Sequence, residues 1–263
     1  MTRAPGSTAG RRPMIGTSWK MNLLPSTAPA WLLAARAGTA GVDDRDIFVL
    51  PPFPMLPAAQ AALRGSPIRW GAQDVHSEDR GAHTGDVSAP MLADLGCSIV
   101  EIGHSERRRD HGDTDRRIAA KAAAALRWDM APLLCVGERS PGPVAPAIRI
   151  VRRQLRGALG GLGPQQLSRV IVAYEPVWAI GEGATAAGLD HVGALHGAIR
   201  AWLDMHGGIG VRVLYGGSVD PANAPSLLAV PAVDGLFVGR SALDPRAFIE
   251  IATLPLPHEE VFS

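Results

Sequence analysis

VIVAYEPVWAIG, residues 170–181, runs a string of strand formers into a lone carboxylate, then a proline, a tryptophan and a glycine. An unbroken apolar run, rather than an alternating one, belongs to a strand buried on both faces. Pro176 cannot donate to a ladder, so the strand ends with Glu175 at its mouth. The same design recurs along the chain at 14–19 (MIGTSW), 46–51 (DIFVLP), 68–75 (IRWGAQDV), 98–103 (SIVEIG), 132–137 (PLLCVG), 211–217 (VRVLYGG) and 234–239 (DGLFVG). Between these runs Ala, Leu and Arg recur at helical spacing, over 26–37, 113–129, 147–160, 190–206 and 244–253, with Ser26, Asp113, Asp190 and Asp244 as candidate caps. Residues 139–146, RSPGPVAP, hold three prolines and read as a loop or a single late turn. Eight strand and helix units predict an α/β fold, a closed (β/α)8 barrel, over a doubly wound sheet, because no GxGxxG follows the first strand.

At 263 residues and 46% apolar, the chain can bury one large core, and no low-complexity linker divides it. Residues 1–12, basic but without an apolar stretch, read as a disordered tail ahead of one catalytic domain at 13–263. Lys and Arg total 26 against 25 Asp and Glu, and no basic stripe interleaved with aromatics is present. Nucleic acid is therefore not the expected partner. No run of about 18 apolar residues predicts a membrane span. Cys97 and Cys135 lack CxxC spacing and sit in or beside apolar runs, so both read as buried thiols, as in a reducing cytoplasm.

In such a barrel, chemistry belongs at the C-terminal ends of the strands. The polar residues there are Ser18 and Lys20 after the first strand, His104, Ser105 and Glu106 after the fourth, and Glu175 at the sixth. Gly216-Gly217-Ser218 and Gly239-Arg240 follow the seventh and eighth, each read as opening toward a helix whose N–H groups suit a phosphate.

GTSWKMN, GAHTGDVS, VEIGHSERR, LLCVGE, AYEPVWAIG, LYGGSV and DGLFVG occur in the order and spacing of triosephosphate isomerases, so the chain resembles that family from about residue 14 to 253. The resemblance implies a TIM barrel acting on a small phosphorylated sugar through an enediolate, with no cofactor and no metal. Carried over residue by residue, it implies Glu175 as the base and His104 as a neutral electrophile. Lys20 would hold the phosphate and the developing oxyanion, with Ser18, Ser105 and Glu106 in support. Pro176-Val177-Trp178 would hinge a lid over the substrate, because an enediolate beside a phosphate eliminates it in water. Gly181, Ser218, Gly239 and Arg240 would cradle the phosphate. Cys135, Gly137 and Glu138 would supply packing and hydrogen-bond support. The loop carrying Thr84 would enter a second subunit near its lysine, giving a homodimer.

The chain departs from the family at three places. Ser18 stands where an asparagine is usual, which removes an amide and frees volume. The lid continues Gly181-Glu182-Gly183-Ala184-Thr185-Ala186 instead of Gly-Thr-Gly-Lys-Thr-Ala, and Arg240 replaces the second glycine of a pair. Together these resemble the branch acting on four-carbon erythrulose phosphates, and that substrate is the expectation. Triosephosphate isomerisation proper is the alternative. A barrel that only binds phosphate is a third reading, against which the presence of Lys20, His104 and Glu175 together speaks.

Overall fold

A computed structural model describes residues 11–256 except 182, 184 and 185. Eight parallel strands close into a barrel in sequence order: β1 Met14–Ser18, β2 Asp46–Leu50, β3 Arg69–Ala72, β4 Ile99–Ile102, β5 Ala131–Val136, β6 Ile171–Tyr174, β7 Arg212–Tyr215 and β8 Gly235–Val238. β1 pairs with β2 on one side and with β8 on the other, so no edge remains. Seven strands lie inside their expected runs, β5 begins one residue before its own, at Ala131, and the polar ends of the runs belong to the loops.

The helices are α1 Ala28–Gly38, α2 Leu56–Leu63, α3 Ala89–Asp94, α4 Ser105–Asp110, α5 Asp115–Arg127, α6 Val144–Leu159, α7 Pro164–Leu167, α8 Leu189–Met205, α9 Ala224–Leu228 and α10 Pro245–Ala252. Of the expected caps only Asp244 holds, accepting from the Arg246 amide. Thr114, not Asp113, caps α5, because Asp113 is spent on Lys121 at 2.7 Å. Thr27 precedes α1 in place of Ser26, and Asp190 falls in the first turn of α8 behind Gly188. α6 begins at Val144, earlier than the three prolines suggested, because Pro143 sits at its N-cap and Pro146 in its first turn, where no amide partner is needed.

Two apolar layers hold the barrel. Inside it Met14, Phe48, Leu50, Ile99, Leu133, Ile171, Leu214 and Phe237 pack together, with the rings of Phe48 and Phe237 stacked at 5.6 Å. Outside it the alternate strand residues pack against the helices, as Val100 and Ile102 of β4 do. At the N-terminal end Asp234 is fully buried and accepts from Arg200, Arg11 and the Val213 amide. Arg12 pairs with Asp46, so the contacts of the barrel begin two residues inside the expected tail, while residues 1–10 lie outside the described part. Cys97 and Cys135 are both buried and free. No helix among the described residues is long and apolar enough to cross a membrane.

Candidate active site

At the C-terminal end of the barrel a 710 Å³ cavity is lined by Ser18, Lys20, Glu101, His104, Ser105, Glu106 and Glu175, and by Gly181, Gly216, Gly217, Ser218, Gly239 and Arg240. The three residues singled out for chemistry therefore meet on one wall, brought from β1, β4 and β6.

Glu175 follows β6 directly, its amide donating to the Val136 carbonyl at 2.8 Å. Two glycines let the neighbouring strands close around it. A Cβ on Gly137 would lie 1.9 Å from the Glu175 carbonyl oxygen, and one on Gly216 would lie 2.8 Å from its Cγ. The carboxyl is buried, and Oε2 has no hydrogen-bond partner among the described residues. Burial, then the neighbouring Glu101 carboxyl, pushes its pKa up to about 8 against the pull of Lys20.

His104 sits at the N-cap of α4, and its Nδ1 accepts from the Glu106 amide at 3.2 Å. A nitrogen that accepts from a backbone N–H carries no proton, so the neutral ring holds its proton on Nε2. Nε2 lies 3.4 Å from Glu175 Oε2. Burial, then the charge of Lys20, lowers the pKa of the ring to about 4, so it is neutral across the physiological range.

Lys20 donates to Glu106 Oε1 at 2.8 Å, the partner expected from the sequence. Burial alone would lower its pKa, but Glu175, Glu106 and Glu101 outweigh that and hold it above the ordinary lysine value. Its backbone is left-handed, with φ 54°, a conformation that costs a non-glycine residue about 1–3 kcal/mol and clusters at functional sites. The turn aims the ammonium back across the strand ends.

The foot of the lid is tied at two points. Trp178 Nε1 donates to Glu138 Oε1 at 2.8 Å, and the Val177 amide to the Glu138 carbonyl at 2.9 Å. Tyr174 and His191 meet the same carboxylate at about 3.0 Å, which makes Glu138 the hub beneath the hinge. On the other side the Ser218 amide and hydroxyl both donate to the Ala179 carbonyl, at 3.1 and 2.8 Å. Ser218 lines the cavity, and in this conformation both of its donors serve the lid. The glycine pair differs from expectation, since α9 begins only at Ala224, whereas Gly239 does open directly into a 3₁₀ turn, Arg240–Leu243. Of the changed lid residues, Glu182, Ala184 and Thr185 lie outside the described part.

Thr84 is exposed in the loop between β3 and α3 and does not line the cavity. Glu101, whose carboxyl accepts from Ser18 Oγ at 2.8 Å, is not among the residues expected from the sequence. Strand parity was the available signal: Ile99 points into the barrel, and Glu101, two residues on, must do the same at the rim. One atom each of Glu101, His104 and Glu175 lies within 4.8 Å of the others, and His76, His83 and Asp86 form a similar group in the Thr84 loop. Either set has donors suited to a metal. The Lys20 ammonium on the same wall favours an anion in the cavity instead.

A buried carboxyl with a free oxygen, a neutral imidazole N–H and an ammonium on one cavity can take a proton from carbon while stabilising charge on the adjacent oxygens.

Residues 13–254 match the family model for triosephosphate isomerase. The triosephosphate isomerase of Roseiflexus castenholzii is 43% identical over 254 residues, which cover 95% of this chain and all of that protein. That of Thermus thermophilus is 43% identical over 249 residues, covering 92% of this chain and 98% of its own. Among solved structures, triosephosphate isomerase from Bartonella henselae superposes with a TM-score of 0.80 at 34% identity, covering 91% of this chain and 97% of that one.

Proposed function

Because the chain belongs to the triosephosphate isomerase family and is therefore an isomerase, we propose that it interconverts glyceraldehyde phosphate and dihydroxyacetone phosphate. The convergence of Lys20, His104 and Glu175 on one cavity carries this reading. In it, Glu175 Oε2 takes the proton from the carbon beside the carbonyl and returns it to the neighbouring carbon. The His104 Nε2–H polarises the carbonyl oxygen, and the neutral ring passes protons between the two oxygens. Lys20 balances charge on the phosphate and the enediolate. Gly181, Gly239 and Arg240 meet the phosphate, the last two through the start of the 3₁₀ turn. Ser18, Ser105 and Glu106 stand in support.

A second reading, a four-carbon erythrulose phosphate, is favoured by Ser18. Its hydroxyl is committed to Glu101, so no donor from position 18 is directed at substrate oxygens where the family uses an amide. Purified protein assayed on both substrates decides between them: kcat/KM is expected to favour glyceraldehyde phosphate, and a preference for the erythrulose phosphate would reverse the assignment. Ser18→Asn restores the amide and should shift the ratio toward the triose by about ten- to a hundredfold, the worth of one polar contact. No turnover of either compound would leave the phosphate-binding barrel standing.

The same reading includes a cytoplasmic homodimer. Met21 is 96% and Leu24 63% exposed immediately beyond the catalytic lysine, an apolar surface that a second copy's Thr84 loop would cover. Sedimentation should give twice the 27.6 kDa chain mass. Thr84→Asp, which places a charge in that contact, should lower both the dimer fraction and kcat. A monomeric wild type with full activity would remove this part of the proposal.

A further inference from the structure

Glu101 is the buried carboxyl that the mechanism above leaves unused. It stands at the inward-facing rim position of β4 and is 3% exposed. Its partners are weak: the Ser18 hydroxyl at 2.8 Å on Oε2 and the Cys135 thiol at 3.6 Å on Oε1. Among the described residues no cation pairs with it, and Lys20 is engaged by Glu106. A carboxylate so buried and so weakly held is costly to ionise. Glu175 is in the same position, buried, with one oxygen unpartnered, and within 4.8 Å. Two buried carboxyls this close do not both ionise readily.

We propose that Glu101 is a positioning residue for the isomerisation, a carboxyl on the cavity wall that shares one proton with Glu175 and thereby sets the pH range over which Glu175 is an ionised base. The inference rests on the reading of Glu175 as the base. Other groups facing the pair are Lys20 beyond β1, His104 and Glu106 beyond β4 and the Cys135 thiol of β5. The charge on β3, Arg69, faces Asp46 and Arg212, and Asp74 beyond β3 is paired with Lys121 and Arg107. Lys20 is the cation among these groups, and it draws both carboxyls down. Burial nonetheless takes Glu101 up to about 7, alongside Glu175 at about 8, so the pair straddles neutrality. When Glu101 holds the proton, Glu175 is free to ionise; when Glu101 is charged, Glu175 is held protonated to higher pH.

The test is the pH dependence of kcat/KM in Glu101→Gln and Glu101→Leu, the second matching the apolar residues Ile99 and Leu133 nearby. Each removes the charge beside Glu175, so the acid limb should move down by about one pH unit in both. Carbon NMR titration of the Glu175 carboxyl should show the same displacement without any turnover. Folded variants whose acid limb and Glu175 titration match wild type would overturn the proposal. If neither variant folds, the wild-type titration decides, because a shared proton gives both carboxyls two inflections and independent groups one each. A wild type inactive on both sugar phosphates would sink the functional reading, and the carbon titration would still test the pair.

Discussion

Glu175→Gln is expected to lower kcat by at least 10²–10⁴-fold while leaving the fold and anion binding in place. Glutamine keeps the volume and can lie in the slot formed by Gly137 and Gly216, but it cannot accept a proton from carbon. The buried acid also gives the variant a stability signature. Its folded pKa, about 8, lies above the ordinary carboxyl value, so it stabilises most when protonated, and that contribution is lost as pH rises through 8. Glutamine has no such dependence. The melting temperature of the variant should therefore gain on wild type as pH is raised from about 4.5 to 8, the trade expected of a residue kept for chemistry. Thermal unfolding across that range, with kcat measured alongside, checks both halves. Turnover within a few-fold of wild type would remove Glu175 as the base.

The slot itself shows what the sequence could reveal. Strands of a closed parallel barrel are buried on both faces, so they read as continuous apolar runs and were found by that pattern alone. Their ends were overrun where polar residues continue a run without pairing, as Gln73 and Asp74 do beyond β3. Helix starts were less legible, because a cap depends on where a side chain finds an amide. Asp113 has the right chemistry for one and is drawn off by Lys121. In the site, Lys20, His104 and Glu175 stood out because each lies in a motif of the family at a strand end. Glu101 did not: within VEIG it passes as part of an apolar strand, and only closure of the barrel sets it beside Ser18 and Glu175. The hub at Glu138 joins residues 36 to 53 positions apart, and the left-handed turn at Lys20 has no glycine to announce it.

Lys20→Met should cost about 10²–10³-fold in kcat/KM, the usual loss when one charged donor is removed from a developing oxyanion. The fold should hardly notice. The Lys20 and Glu106 side chains are 30% and 42% exposed, and such pairs contribute at most about 1 kcal/mol. Methionine keeps the stem and the Cβ, so the left-handed strain at this position is unchanged. Much of the salt sensitivity of KM should disappear with the ammonium, leaving what Arg240 contributes. The pH profile gives the sharper result. Lys20 draws Glu175 down, so its loss should move the acid limb of kcat/KM to higher pH, opposite to the displacement expected for Glu101→Gln. Opposite movements from two charges on one wall follow from electrostatic control of the base and not from a general loosening of the site, which would move both variants the same way. In Lys20→Met combined with Glu101→Gln the limb should return toward its wild-type position while the rate stays low, because charge balance at Glu175 is restored and the donor to the oxyanion is not. A Lys20→Met enzyme within tenfold of wild type, or one whose acid limb falls to lower pH, would overturn the place given to this lysine.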